Sequence, residues 1–141
     1  MKWHLITAVL LMLGAAFAAA AQTNSGPIRS SPAYAEVLLR KTELQADLES
    51  LIGDYTEANP KIVDIRVELT SLNKSLERIY GVGPSDTGKL TLALGKLILK
   101  KAVLETDLDR LQRTYGKDHV DVKRARKKVE TFEAAISEIL R

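Results

Sequence analysis

From Tyr34 onward the apolar positions step by three and four: Tyr34, Val37, Leu44, Leu48, Leu51 and Tyr55, with Lys41 interrupting the stripe. After a short break the steps resume at Ile62, Ile65, Leu69, Leu72, Leu76 and Ile79. Alternating steps of three and four are the heptad rhythm of helices packed along a narrow seam, whereas strands would alternate by two. A second stretch repeats the rhythm at Leu94, Leu97, Lys101, Leu104, Leu108, Leu111 and Tyr115, then at Val122, Ala125, Val129, Phe132, Ile136 and Ile139. The pattern predicts an all-α fold.

The two stretches are copies of one unit. Laid on 94–141 with a shift of 60 and no gap, residues 34–81 give nine identities in 48 pairs, among them Leu44/Leu104, Leu51/Leu111 and Tyr55/Tyr115. Other pairs exchange like for like, such as Ile62/Val122 and Leu76/Ile136. A repeat of this length marks one supersecondary unit used twice.

Each copy carries a break near its middle. In the first, Tyr55-Thr-Glu-Ala-Asn59-Pro60 places a strong N-cap before a proline at the first helical turn. In the second, Tyr115-Gly116-Lys-Asp118-His119-Val120 lets Gly116 end one helix and Asp118 or His119 start the next. Proline inside an unbroken helix costs about 3 kcal/mol. The breaks therefore predict two tandem antiparallel helical hairpins, 33–80 and 91–141, which could combine as a four-helix bundle. The heptad phase runs on through Ala58, so the alternative is one kinked helix of about 46 residues per copy, roughly 70 Å long at 1.5 Å per residue. Broader apolar stripes at Val37, Leu38 and Leu39 and at Leu92, Leu97, Ile98 and Leu99 predict a packed base away from the tyrosine-bearing tips.

The first residues read as a secretory signal peptide over 1–21. Lys2 supplies the positive end, Leu5 to Leu13 the apolar run, and Ala19 and Ala21 the small residues before a cleavage point at Gln22. The alternative is an uncleaved anchor, but Leu5–Ala21 falls short of the ~20 residues a spanning helix needs. Periplasmic or secreted localisation follows, with no membrane span after cleavage. Residues 22–32, QTNSGPIRSSP, read as a flexible lead-in, with Ser31-Pro32 starting the first long helix. The chain has no cysteine, so no disulfide can staple it.

Charge divides between the copies. Residues 33–80 carry six Lys/Arg against nine Asp/Glu, and residues 89–141 carry thirteen against eight. The overall +3 thus conceals an acidic first copy and a basic second one. Opposite fields favour docking of one copy on the other, within a chain or between chains.

Little in the sequence points to catalysis. Gly83-Pro-Ser-Asp-Thr-Gly88-Lys89 approaches a phosphate-binding loop, but Leu90 stands where a hydroxyl must hold magnesium, and a helix precedes the motif instead of a strand. It reads as a linker, 81–90, in which Ser85, Asp86 or Thr87 caps the next helix. His119 has no cysteine or second histidine beside it in the exported chain, so neither a zinc site nor a catalytic pair is expected, and its place opposite Asn59 favours capping. No metal, cofactor or catalytic residue is expected, and the chain reads as a non-enzyme.

The candidates for interaction are the tips and the basic run. Tyr55, Asn59, Pro60, Tyr115 and His119 stand at the tips, and Lys123, Arg124, Arg126, Lys127 and Lys128 form the densest basic stretch. On the heptad these bases point away from the seam, as a solvated face or as a site for an anionic polysaccharide or an acidic protein. Export argues against nucleic acid. Lys41 and Lys101 occupy seam positions, where a lysine either sets register or snorkels to the rim.

The tip segments, Leu48-Glu-Ser-Leu51-Ile-Gly-Asp-Tyr55-Thr-Glu-Ala-Asn59-Pro60-Lys-Ile62 and Leu111-Gln-Arg-Thr-Tyr115-Gly-Lys-Asp-His119-Val120-Asp-Val122, resemble a known element. It is the periplasmic helical segment of polysaccharide chain-length determinants, the polysaccharide co-polymerase family. That element reads leucine-rich helix, tyrosine, three residues, His-Pro and a second helix. The first copy keeps the proline with Asn59 in place of histidine; the second keeps His119 with Val120 in place of proline. The resemblance omits the family's two membrane helices and kinase domain. It implies a helical stalk and a link to exopolysaccharide assembly or export. The expected function is an exported scaffold or interaction protein of the cell envelope, acting through self-association or an envelope partner. The alternative is a periplasmic chaperone-like binder of unfolded or anionic clients through basic helical arms.

Overall fold

The computed structural model describes residues 25–141, all helices and connections; the signal peptide read over 1–21 lies outside the described residues. A short helix, α1 (Ser25–Arg29), precedes four long ones: α2 (Pro32–Ile52), α3 (Pro60–Tyr80), α4 (Leu92–Thr114) and α5 (Val120–Leu140). The helices pack on one another, and no strand is present among the described residues.

Local chemistry sets each helix start. Ser31 Oγ accepts from the Tyr34 amide at 3.3 Å, with Pro32 opening the first turn. Asn59 Oδ1 accepts from the Lys61 amide at 2.9 Å, and His119 Nδ1 from the Asp121 amide at 3.2 Å. Each satisfies an amide that a helix terminus would otherwise leave unpaired. The two interhelical turns also share their backbone bonds. Tyr55 and Tyr115 donate to Leu51 and Leu111, and Asn59 and His119 donate to Thr56 and Gly116. Each copy therefore doubles back at its tyrosine.

Three local expectations need correction. The lead-in is not loose throughout: α1 folds against the base, where Ile28 is buried and Ser31 Oγ donates to its carbonyl at 2.6 Å. An isoleucine in a polar segment gained a core position that no periodicity marked. The linker does not cap α4 through Ser85, Asp86 or Thr87. Pro84–Lys89 winds into a 3₁₀ helix, and Thr91 caps α4, its Oγ1 accepting from the Leu94 amide at 3.3 Å. Finally, α4 ends before Gly116, with Tyr115 in an extended conformation.

Tertiary packing is asymmetric. Helix α4 lies against α2, α3 and α5, whereas α5 packs chiefly on α4. The core runs through Ala33, Val37, Leu72, Ile79, Leu94, Ile98 and Ile136, and Leu90 of the linker joins it. Burying each large side chain contributes roughly 1.5–3 kcal/mol. At the base, α2 and α4 approach so closely that a Cβ on Gly95 would sit 2.9 Å from Glu36 Cβ and 3.1 Å from Ala33 Cα. Near the tips, Asp64 of α3 holds Arg110 at 2.7 Å and also Arg113 from α4. The hairpins thus touch from base to tip, with acid from the first copy meeting base from the second near the tips and the reverse, Arg78 against Glu133, farther down.

Candidate functional site

The tip residues are displayed without being joined into one pocket. Tyr55 and Tyr115 are 53% and 43% exposed. Tyr115 stacks on His119, with ring centroids 4.3 Å apart and planes 15° from parallel. In the first copy Asn59 has no ring to stack, and Glu57 and Arg66 form an ion pair beside the turn instead. Hydrogen bonding from Arg66 holds the Glu57 carboxyl below the usual range. Pro60 is exposed at the start of α3. Asn59 and His119 both spend a polar atom on capping, so their immediate role is structural.

The basic run lies on the outer side of α5. Lys123, Arg124, Lys127 and Lys128 are exposed, and Arg126 is half-buried. Their carboxylate contacts are loose: Lys123–Asp118 and Arg124–Asp121 at 3.5 Å, Lys127–Glu130 at 3.9 Å. Exposed pairs of this kind contribute between about 0 and 1 kcal/mol and leave the cations open to an external anion.

The seam lysines differ in surroundings. Lys101, whose side chain is 14% exposed, binds Glu105 at 3.2 Å and Glu133 of α5 at 2.9 Å. Glu133 also accepts from Arg78 of α3 at 2.7 Å and from Ser137 at 3.0 Å. Burial alone would push the Glu133 carboxyl up; hydrogen bonds from Lys101 and Ser137, with the charges of Lys101 and Arg78, outweigh it and hold it below its ordinary value. Ser71 of α3 donates to Glu105, so one polar network joins three helices. Lys41 is half-buried, with no ion pair among the described residues.

Of the grooves open to solvent among the described residues, two take in candidate residues from the helix faces. One, of about 500 Å³, lies between α4 and α5 and is lined by apolar Leu104, Leu111 and Ala125, by the cations Arg110, Arg124 and Lys128, and by the acids Asp107 and Asp121. The other, of about 390 Å³, lies between α2 and α3 and includes Tyr34, Leu38, Lys41, Asn73 and Tyr80. Here the Tyr80 hydroxyl donates to that of Tyr34 at 3.3 Å. Of the candidate residues, Arg124 and Lys128 come together in the first groove and Lys41 enters the second. Leu38 and Leu104 entered the sequence reading only as stripe and seam residues, and Asn73 and Arg110 not at all. The 60-residue alignment held a usable signal, because it sets Asn73 against Glu133 and Lys128 against Glu68.

Among the described residues, no group of three or more histidine, cysteine or acidic side chains is placed to hold a metal ion, and no helix is long and apolar enough to cross a membrane. The chain matches no protein-family model, no curated protein and no solved structure.

Proposed function

We propose that this chain is an exported, non-enzymatic helical scaffold of the cell envelope that works by presenting the open faces of two related hairpins to a partner. The observation that carries this reading is the groove between α4 and α5. It combines apolar Leu104, Leu111 and Ala125 with three cations, Arg110, Arg124 and Lys128, that outnumber the two acids Asp107 and Asp121, and Arg124 and Lys128 are exposed. Such a surface suits a partner with a complementary acidic rim, because apolar contact holds it while charge selects it. The link to exopolysaccharide assembly rests on the resemblance of the two tips to chain-length determinants. A chaperone-like role is the second reading, favoured by the cations along α5.

Two measurements in cells test the scaffold reading. Cell fractionation should find the protein outside the cytoplasm with Gln22 at its amino terminus. A photo-crosslinker at Arg124 should capture one discrete envelope polypeptide or a second copy, whereas one at the distant, exposed Thr70 captures none. Retention of the full-length chain in the cytoplasm, or a smear of unrelated proteins at Arg124, would overturn it. The smear, if abolished by salt, is the signature of the chaperone-like alternative.

A further inference from the structure

Shifting the open groove between α4 and α5 back by 60 residues places it on a surface of the first hairpin that is already covered. Leu104, Leu111, Ala125, Arg124 and Lys128 become Leu44, Leu51, Ile65, Asp64 and Glu68. In the first hairpin Leu44, Ile65 and Glu68 are buried, and Asp64 holds Arg110 and Arg113 of α4. The other groove behaves in the same way when shifted forward. Tyr34, Leu38, Lys41, Asn73 and Leu76 become Leu94, Ile98, Lys101, Glu133 and Ile136. In the second hairpin Leu94, Ile98 and Ile136 are buried, and Glu133 is held by Arg78 of the first. The two open grooves are thus the unused counterparts of the two sides of the interface inside the chain.

The docking helix has a counterpart too. Helix α4 buries Gly95, Ile98, Ala102 and Thr106. Sixty residues earlier, Ala35, Leu38, Thr42 and Ala46 form the matching strip on α2, with one large aliphatic and one threonine among small residues like the first, and all four are exposed.

We propose that a second copy of this chain seats its α2 in the α4–α5 groove in the way α4 sits on α2 and α3, so that copies stack head to tail. The inference rests on the scaffold reading and names its partner. A contact between two different surfaces of identical chains leaves a free surface at each end and therefore continues into a longer stack or a ring. Solenoids grow by the same logic, each unit covering its neighbour's apolar face.

Charge fits this occupant. Within the chain, Asp64 holds Arg110 and Arg113 of the incoming helix, while the buried Glu68 is held by Arg40 of its own hairpin. In the open groove Arg124 and Lys128 replace those acids, and the incoming first hairpin carries Glu43, Asp47, Glu49, Asp54 and Glu57 with no Lys or Arg over residues 42–58. The groove has inverted its sign, and on the incoming helix Ser50 and Gly53 stand at the places of Arg110 and Arg113, with the acids on either side of them. At the base, Glu138 stands in the place of Arg78 and approaches Lys41 and Asn73 of the neighbouring copy, which gives Lys41 a carboxylate. Glu77 at the position of Ser137 is a mismatch, so the contact is weaker than the internal one.

Two blocked variants test the geometry. Arg124→Glu with Lys128→Glu blocks the groove, and Leu38→Glu blocks the docking strip; all three positions are exposed, and circular dichroism verifies the fold of each variant. By sedimentation velocity the wild-type protein should exceed the mass of one chain as its concentration rises. Each variant alone should associate at least tenfold more weakly, in the direction of a monomer. A mixture of the two should form a dimer and nothing larger, because one intact groove meets one intact strip. Association of either variant alone as a dimer would show a symmetric contact and overturn the proposal, as would a wild type that stays monomeric. If the wild type is monomeric while the crosslinker at Arg124 still captures a distinct envelope protein, this inference fails and the scaffold reading stands.

Discussion

The two hairpins share their helix spacing and the backbone bonds of their turns, yet one is enclosed and the other half open. Ile65, Glu68 and Leu72 of α3 are buried, whereas Ala125, Lys128 and Phe132 at the same places in α5 retain exposure. Helix α3 has α2 and α4 over it, while α5 has mainly α4. Polar pairs have changed in step. Arg40 binds Glu68 at 2.7 Å in the first hairpin, and the second has Lys100 and Lys128 there. Lys101 binds Glu133 in the second, and the first has Lys41 and Asn73. A duplicated unit keeps what makes a hairpin and diverges in what the hairpin must face.

The sharpest way to break this comparison is to hollow out matching positions. Leu72→Ala should cost about 2–5 kcal/mol, because Leu72 is fully buried and its neighbours relax only partly. Phe132→Ala, though it removes more atoms, should cost only about 1–2 kcal/mol at its half-exposed site, below the ~3–5 kcal/mol of a fully buried Phe. Urea unfolding measures both, and equal losses would show that α5 is as enclosed as α3.

A smaller effect separates the lysine sites. Glu133→Ala should destabilise by about 1–2 kcal/mol, since it leaves the largely buried Lys101 with only Glu105 and frees Arg78. The partial exposure of Glu133 keeps the loss below that of a fully buried pair. Asn73→Ala at the matching position should stay within about 0.5 kcal/mol. The same pair gives a pH signature. Folding lowers the Glu133 pKa, so its contribution is present above the ordinary value near 4.5 and is lost as pH falls through the lowered folded value. Glu133→Gln should lack that component of acid destabilisation, and thermal melts from neutral pH downward detect the difference. Identical pH profiles would remove Glu133 from the account.

A change of similar modest size is expected at the helix crossing. Gly95→Ala should gain up to about 1 kcal/mol in helix propensity and lose about 1–3 kcal/mol to the clash with Ala33 and Glu36, for a net loss near 1 kcal/mol. A melting temperature raised by this substitution would mean that α2 and α4 lie farther apart than described.

Much of the fold was readable because its signals are local. Ser31-Pro32, Asn59-Pro60 and His119 cap helices with their own side chains, and the seam repeats every three and four residues whatever lies across it. Ile28 was hidden because a single apolar residue has no period. Thr91 was hidden because the competing Ser85, Asp86 and Thr87 are equally good caps by type. The candidate surface was less readable. Lys128 stood out by charge, but Leu104, Leu38 and Asn73 look like ordinary seam or surface residues until the helices around them are placed.

By itself, then, the order of residues determined the four long helices, the break at each tyrosine and the duplication. Only the tertiary structure decided that each break is a reversal, that α4 is covered on three sides and α5 mainly on one, that Glu133 meets both Lys101 and Arg78, and that the grooves between α4 and α5 and between α2 and α3 stay open. Those outcomes depend on which helix stands opposite which. A heptad stripe identifies the side that must be buried, but many partners bury it equally well.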